Sequence, residues 1–428
     1  MLIITKKTVF VLHKVWLSFL IYSCLVINSF AQQVAFSEDI MVKNFYAINH
    51  QPLFWFSCVQ NIKRANEWLM MIESADNLGL ISDKLQSDQI RVALLSNNSI
   101  GNIYKEQRDR QITGIILNFI KNLQEGSIHL DYDEVRVSRD SVYINQLLNS
   151  KPHEPVSKIV SRLDCKDHDY VVLKKYLCDS VTASETLRYK KVAISMNYLR
   201  YLAVNHQPER IVVNIPEAEA RYYRHDLLKV KMRTVVGKKK TPTPTVASYI
   251  TDVVTFPQWN VPYSIAVKEI LPRMQKNENW LEQNNFDLLD AKGNEIDESE
   301  LNWKDYNEKN FPYFFRQTSG NDNDLGTIKF NLQNPFSIFL HATSRQGSFS
   351  KDYRFLSHGC IRLEKPYELA EQLLRREINF KKLKKVKKDT QSKTLKLPDK
   401  IPVFIIYMPV VVNGKKITLL PDAYELIK

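Results

Sequence analysis

The hydrophobic pattern of the chain changes its period near residue 205, and this change constrains the fold more than any other feature. Before it, apolar residues recur at helical spacing in RANEWLMMIESADNLGL (64–80) and QITGIILNFIKNLQEG (111–126), and each segment reaches a glycine near its end. After it, RIVVNIPEAEARYYRHDLLKVKMRTVVG (210–237) has the pattern of three short strands separated by polar breaks. The sequence therefore predicts an α+β chain, helical first and β-rich afterwards.

The chain has 428 residues, which is too many for one typical hydrophobic core, so we expect at least two domains. We predict a helical scaffold domain over 32–190 and a β-rich, β-sandwich-like domain over 191–428. Within the second domain, 264–310 mixes short helical and polar pieces, and we expect it to form a capping insert. The lysine-rich segment 379–400 is interpreted as a basic loop, either simply solvated or acting as a binding patch.

The N-terminal segment is typical of a secretory signal peptide. Three lysines surround its start, the apolar run VWLSFLIYSCLVINSF follows, and Ser29 and Ala31 are small residues where a signal peptidase reads. We expect a signal peptide over 1–31 and a periplasmic mature protein, with an uncleaved anchor as the alternative. Removing 1–31 lowers the formal net charge from +13 to +10, which suits an anionic envelope surface. No aromatic-and-basic pattern of a nucleic-acid-reading module is present.

Four cysteines remain after residue 31, too few to build a fold of this size on disulfides. Cys165 and Cys178 are near enough in sequence to form a pair, and the sequence leaves that pairing open. No CxxC occurs, so the spacings do not indicate a zinc site. Cys360 differs from the others because it follows a glycine and has a histidine two residues before it.

The stretch HATSRQGSFSKDYRFLSHGC (341–360) holds the residues most typical of a catalytic site. PFSIFLHATS (335–344) has β-strand composition, so we expect a strand that ends at His341. RFLSHGCIRLEKP (354–366) predicts a loop and then a strand, after which Pro366 opens a helix. Two strand ends of one sheet can bring the side chains of His341 and Cys360 together across a cleft.

A cysteine and a histidine in such positions favour nucleophilic acyl transfer. The thiolate is the reactive form, and a nearby imidazole can take the thiol proton. The carbonyl of Ala342 can orient that imidazole, and the amides of His358, Gly359 and Cys360 can point at a developing oxyanion. On spacing alone, a packed or paired thiol at Cys360 and a turn residue at His358 are the alternatives.

His341 followed by Ser357-His358-Gly359-Cys360 resembles the motif of the L,D-transpeptidase catalytic family. Residues 178–192 run directly from a helix to MNYLRYL, so we expect no separate peptidoglycan-binding domain of the kind that several relatives carry. Further segments resemble, in order, the large Gram-negative branch with a helical scaffold domain: FYAINHQPLFW (45–55), MNYLRYL (196–202), IVVNIP (211–216), MRTVVGK (232–238), WNVP (259–262), FPYFFRQ (311–317), NDLGTIKF (323–330) and PDAY (421–424).

The resemblance implies that 191–428 is the catalytic domain, with Cys360 as the nucleophile and His341 as the general base. It gives His358 and Gly359 a supporting role beside the oxyanion hole. It also suggests cleft residues that bind the substrate, namely Arg362, Asn323, Tyr353 and Arg354. No metal or organic cofactor is implied.

The activity that the resemblance implies is a periplasmic L,D-transpeptidase that forms 3→3 cross-links between peptidoglycan stem peptides. A tetrapeptide donor stem acylates Cys360, and the amine of an acceptor stem resolves the thioester. An L,D-carboxypeptidase, which passes the acyl group to water, and a transpeptidase that anchors a protein to the wall are alternatives. A non-catalytic wall-binding scaffold is an alternative of another class. A papain-like protease is disfavoured, because its cysteine lies early in the chain.

Overall fold

The computed structural model describes residues 40–80, 86–95, 102–150, 153–181, 186–375 and 391–427. The predicted signal peptide lies outside these residues, and so does the part of the predicted basic loop up to residue 390. Within the described ranges, no helix is long and apolar enough to cross a membrane. The chain divides into two compact units.

The first unit is helical, as the sequence predicts. It contains the described residues up to Ser127, with Val137–Tyr189 and Leu199–Val204. Its helices are α1 (40–49), α2 (Val59–Glu73), α3 (Ser87–Leu95), α4 (Asn102–Glu125), α5 (Asp140–Leu148), α6 (Val156–Leu163), α7 (His168–Ser180) and the two ends of α8 (Thr186–Val204). The apolar spacing of 64–80 and 111–126 falls on α2 and α4, which bury Trp68 and Phe119 against one another.

The second unit is β-rich and contains Ile128–Arg136, Lys190–Tyr198 and the residues from Asn205 onward. Its strands are β1 (Tyr132–Asp133), β2 (Arg210–Asn214), β3 (Glu219–Arg224), β4 (Leu227–Gly237), β5 (Val246–Thr255), β6 (Trp259–Asn260), β7 (Phe286–Leu289), β8 (Phe314–Gln317), β9 (Ile328–Leu332), β10 (Leu340–His341), β11 (Phe355–Ser357), β12 (Ile361–Leu363), β13 (Lys393–Ile406), β14 (Val410–Asn413) and β15 (Lys416–Leu419). The three strands predicted over 210–237 are β2, β3 and β4, and the predicted hairpin at Asn413-Gly414 joins β14 to β15.

The main sheet closes on itself. Its strands follow the order β5-β13-β2-β3-β4-β12-β10-β9, and β9 pairs back with β5. The alternating inward residues of these strands, such as Val213, Val235, Ile250 and Val403, are fully buried and form the core. Closure leaves β10 between β9 and β12, so residues at the ends of these central strands have neighbours on both sides.

The capping insert has a small core of its own. It contains α9 (Tyr263–Ile265), a π-helical turn (Ala266–Ile270), α10 (Leu271–Met274) and α11 (Trp280–Gln283). The strands β6, β8 and β7 form a separate three-stranded sheet. Buried Trp303 and Phe315 stack with ring centroids 6.4 Å apart in the middle of this cluster. After the insert, the chain returns to the main sheet through β9, and α12 (Pro366–Leu374) starts at the predicted proline.

Two local predictions differ from the structure. The strand predicted to end at His341 does end there, but it is shorter than its composition suggests, because only Leu340–His341 pairs with neighbouring strands. Asn334 organises a turn instead, accepting the amides of Phe336 and Ile338 and donating to the Ile338 carbonyl. In the predicted basic loop, the structure describes residues 391–400. These residues form a strand from Lys393 onward, because β13 begins there.

The cysteines in the described residues are unpaired. Cys58, Cys165, Cys178 and Cys360 are all free thiols, so the open pairing of Cys165 with Cys178 does not occur in this structure. Cys165 is partly buried, whereas Cys178 is exposed. The second unit therefore contains one of these thiols, Cys360.

Candidate active site

Cys360 follows a tight turn between β11 and β12. The turn depends on Gly359, whose φ of +122° is a conformation that residues with a side chain rarely adopt. A Cβ atom on Gly359 would also lie 3.0 Å from Cδ1 of Ile338. The glycine therefore allows the backbone to place a partly exposed thiol directly before β12.

Two buried hydroxyl groups hold this turn. Oγ of Ser357 accepts the amide of Gly359 at 3.1 Å and donates to the carbonyl of Cys360 at 2.6 Å. Oγ1 of Thr243 donates to the carbonyl of Gly359 at 2.7 Å and accepts the amide of Gly237 at 2.8 Å. The backbone before the thiol is thus fixed from two sides.

His341 ends β10 and is 4% exposed. Its ring packs edge-on against Phe339, with centroids 5.6 Å apart. Among the described residues, its Nδ1 atom has no hydrogen-bond partner of good geometry. The carbonyls of Ala342 and Leu325 nevertheless lie close enough to the ring to raise its pKa.

The strand register puts His341 and Cys360 on one face of the sheet. In the parallel pair β10–β12, Leu340 lies opposite Ile361 and His341 lies opposite Arg362. Leu340 and Ile361 are fully buried on one face of the sheet. Because side chains alternate along a strand, His341, Cys360 and Arg362 lie together on the opposite face. All three line a cavity of about 810 Å³.

Positive charges surround the imidazole. Lys329 of β9 lies opposite His341 on the side away from Arg362. Burial lowers the pKa of His341, and the charges of Arg362 and Lys329 lower it further, to about 3. The ring is therefore neutral near pH 7 and can accept a proton.

The thiol is held in its neutral form as well. Burial raises the pKa of Cys360, although the Phe339 backbone, Lys329 and Arg362 act in the opposite direction. Burial likewise lowers the pKa of Lys329 and of Arg362. The resting pair is thus a thiol and an imidazole rather than a thiolate and an imidazolium, and both can exchange a proton when a substrate arrives.

The family model of the YkuD L,D-transpeptidase catalytic domain matches residues 208–405, which include this whole arrangement. Over residues 208–405 the chain is therefore similar to an L,D-transpeptidase catalytic domain. A protein of Haemophilus influenzae named "Putative L,D-transpeptidase" is 34% identical over 245 residues, which are 57% of this chain and 49% of that protein. The chain thus spans about half the length of this curated relative.

Two solved structures of Enterococcus faecium L,D-transpeptidase are also similar to this chain. A cysteine-to-serine mutant has 13% sequence identity and a TM-score of 0.24, with 47% of this chain and 51% of that chain covered. The catalytic domain acylated by ertapenem has 14% identity and a TM-score of 0.23, with 47% and 99% covered. The similarity to this family rests on the sequence match over residues 208–405.

Of the predicted substrate-binding residues, only Arg362 lines the cavity that contains His341 and Cys360. Asn323 is buried, donates to the carbonyls of Gln317 and Thr318 and accepts the amide of Leu325. Its amide is thus used to shape the loop that precedes β9, and the structure gives it a role in folding rather than in the cleft.

Tyr353 and Arg354 also lie away from the described cavity wall. Tyr353 is exposed and packs against Phe355. Arg354 donates to backbone carbonyls, including those of Lys351 at 3.0 Å and Glu217 at 3.0 Å. The guanidinium of Arg354 therefore ties two loops together, and the prediction of a cleft position for both residues is not matched by the geometry.

The predicted oxyanion donors divide into two groups. The Gly359 amide already donates to Ser357, so Gly359 serves the shape of the turn. His358 lines the cavity, and its Nε2 atom lies 2.5 Å from Oε1 of Glu269 in the capping insert. Lys238, directly after β4, approaches the same Nε2 atom to 3.2 Å.

Sequence reasoning missed Lys329, Thr243 and Glu269. The lysine between the apolar residues Ile328 and Phe330 was a usable signal for Lys329, because a partly buried charge in a strand needs a reason. Thr243 and Glu269 meet the motif only through long-range contacts. No local pattern marks them, so the fold was needed to find them.

Proposed function

We propose that this protein is a cysteine-dependent L,D-transpeptidase that forms 3→3 peptidoglycan cross-links through a thioester on Cys360. The observation that supports it is the common placement of Cys360 and His341 on one face of β12 and β10, at the wall of a cavity of about 810 Å³. A cavity of this size is large enough for a peptide substrate. The matched catalytic domain supports peptidoglycan stem peptides as the substrate class.

The first step acylates the cysteine. The imidazole of His341 takes the proton of the Cys360 thiol as the sulfur attacks the carbonyl carbon of the third residue of the donor stem. The bond between that carbon and the nitrogen of the terminal D-alanine then breaks. The imidazolium returns its proton to the leaving amine, so the enzyme holds a thioester and free D-alanine departs.

The second step transfers the acyl group. The side-chain amine of diaminopimelate in an acceptor stem attacks the thioester carbonyl, the carbon–sulfur bond breaks, and an amide forms. The proton lost by the amine balances the proton that the sulfur regains. A thiolate leaves readily when an amine attacks, which suits a thioester to this exchange. Both steps use only side chains of the protein and groups of the two stem peptides.

Arg362 is our candidate for holding the substrate. Its side chain is partly buried in the cavity wall, and its Nε atom has no hydrogen-bond partner among the described residues. A buried Nε–H group without a hydrogen-bond partner is costly, and a carboxylate of the donor stem could accept from it and from a second guanidinium nitrogen in two parallel bonds. A bound carboxylate would also offset the charge that lowers the pKa of His341, making that ring a stronger base when substrate is present.

The cellular setting follows from the same substrate. Peptidoglycan stems lie outside the cytoplasm, so we propose a periplasmic protein secreted through the N-terminal segment. The basic character of the chain suits peripheral contact with the anionic envelope. Donor and acceptor stems are the partners that this function requires.

Intact mass spectrometry tests the proposal. We expect the wild type to gain one covalent adduct from a carbapenem and to convert tetrapeptide muropeptides into tripeptide–tetrapeptide dimers, and we expect Cys360→Ala to do neither. Adduct formation with only trimmed tripeptide as product would favour the L,D-carboxypeptidase alternative. A folded wild type with no adduct and no product would overturn the enzymatic proposal and favour the scaffold alternative.

A further inference from the structure

We propose that Glu269 positions His358 as a second proton acceptor, which serves the attack of the acceptor amine and not the acylation of Cys360. This inference rests on the proposed transpeptidase function and adds to it a division of labour between two histidines. Glu269 comes from the capping insert, so the insert takes part in the transfer step.

Three chain segments meet at the carboxylate of Glu269. Nε2 of His358, in the turn before the nucleophile, lies 2.5 Å from Oε1 of Glu269. Nζ of Lys238 lies 3.8 Å from the same oxygen and 3.2 Å from Nε2 of His358. The amide of Lys238 also donates to the carbonyl of Ser357 at 2.9 Å. The contact therefore joins the insert to the end of β4 and to the catalytic turn.

The local backbone presents Glu269 to the cavity. It lies in the π-helical turn Ala266–Ile270, where Ala266, Val267 and Ile270 are buried in the core of the insert. Glu269 and His358 both line the cavity that contains Cys360. Single π-helical turns are frequent at functional sites, because the extra residue redirects a side chain without ending the helix.

The hydrogen bond fixes which nitrogen can take a proton. A carboxylate only accepts, so Nε2 of His358 carries the proton that points at Glu269. In the neutral ring, the lone pair is then on Nδ1. The pKa of Glu269 is below its usual value: partial burial raises it, but the bond from His358 and the charges of His358, Lys238 and Arg273 lower it more. Glu269 is therefore ionised and holds this tautomer.

The two histidines have opposite surroundings. His341 lies between Lys329 and Arg362 in the sheet. The positive charges of these two side chains disfavour protonation of its ring. His358 instead has the Glu269 carboxylate 2.5 Å from its Nε2 atom, with the Lys238 ammonium farther away at 3.2 Å. A pair of acid–base groups in contrasting environments is the usual sign of two separate roles.

The transfer step balances with this assignment. The acceptor nitrogen attacks the thioester carbon as its proton passes to Nδ1 of His358, and the carbon–sulfur bond breaks to leave a thiolate on Cys360. The thiolate then takes up that proton, through the cavity, and the resting thiol and imidazole are restored. Acylation needs no proton acceptor other than His341, so loss of Glu269 is expected to spare it.

Single-turnover kinetics of the purified protein separate the two steps. Acylation of Cys360 by a tetrapeptide muropeptide is followed by intact mass, and the acyl-enzyme is then mixed with an acceptor stem over a range of pH. We expect Glu269→Gln to acylate at the wild-type rate but to transfer to the amine about 10²-fold more slowly, with more hydrolysed tripeptide. His358→Gln is expected to match it, and the double variant to lose no more than either one.

Matched variants control for charge and folding. Glu300→Gln removes one negative charge from an exposed position of the same insert and is expected to behave as the wild type. Glu269→Asp keeps the carboxylate and is expected to restore part of the transfer rate and its pH profile. Equal loss of both steps in Glu269→Gln, or unchanged transfer, would overturn the inference while the proposed function stands. If the wild-type protein is never acylated, both the proposed function and this inference are overturned.

Discussion

His341 lies directly opposite Arg362 in the parallel pairing of β10 with β12. The guanidinium is therefore fixed beside the imidazole by the sheet itself, not by a flexible loop. Because Arg362 disfavours the imidazolium and favours the thiolate, it acts on both members of the cysteine–histidine pair. The reactivity of the thiol should consequently depend on pH in a way that an ion pair would not.

Alkylation of Cys360 by iodoacetamide tests this resting state. We expect the rate to rise continuously from pH 6 to 9, with an apparent pKa above that of an ordinary cysteine, because burial disfavours the thiolate. Peptide mapping distinguishes Cys360 from exposed Cys58 in the same sample. A rate that is already constant from about pH 5 upward would indicate a thiolate–imidazolium pair and contradict the neutral one.

Replacing Arg362 should weaken donor binding and thiol reactivity together. A charge-assisted bond to a carboxylate is worth about 1.5–3 kcal/mol, so Arg362→Met is expected to raise KM for a tetrapeptide donor about 10- to 100-fold. The same change should raise the pKa of Cys360, since the guanidinium lowers it.

Arg362→Lys is the matched control, because it keeps the charge but loses the two parallel donors. It should preserve the thiol reactivity better than the substrate affinity. A donor lacking the free carboxylate should then bind wild type and Arg362→Met equally. A selective effect of Arg362→Met on that donor would mean that the arginine does not hold the carboxylate.

The turn before Cys360 should tolerate no side chain at Gly359. Gly359→Ala imposes φ +122° on alanine and places Cβ 3.0 Å from Ile338, so we expect a loss of roughly 1–3 kcal/mol in the free energy of unfolding and little acylation. Gly347→Ala is the control, since its Cβ would meet nothing within 4 Å. Chemical denaturation and carbapenem adduct formation measure the two effects. Wild-type adduct formation by Gly359→Ala would show that the turn is adaptable.

Part of this architecture could be predicted from the sequence because it is encoded locally. The alternation in 210–237 predicts three strands, and the glycine and proline positions predict the turn at Gly359 and the start of α12 at Pro366. The expectation that His341 and Cys360 lie at strand ends of one sheet is matched by β10 and β12. Each of these features depends on residues within a few positions of one another.

The remainder depends on contacts between distant segments. Asn334 diverts the apolar run before His341 into a turn, so composition alone predicted too long a strand. Residues 393–400 are mostly exposed, as in a solvated loop, yet 393–396 pair with β5 and the register then shifts around Pro398 before the pairing resumes at Ile401. Glu269 and His358 are 89 positions apart, and only the fold of the insert brings them together.

The buried neutral His341 should also make the fold sensitive to acid. Its pKa is about 3 in the folded protein and near 6.5 in an unfolded chain, so between these values the unfolded state binds more protons. The contribution of His341 to the free energy of unfolding is fully present above pH 6.5. Below pH 6.5 this contribution falls by about 1.4 kcal/mol for each pH unit, until pH 3 is reached. His341→Gln removes the titrating ring and should flatten this dependence, whereas His129→Gln, at an exposed position, should not. Denaturant unfolding from pH 7 to pH 4 measures the slopes; parallel slopes for His341→Gln and the wild type would mean that other groups govern the acid response.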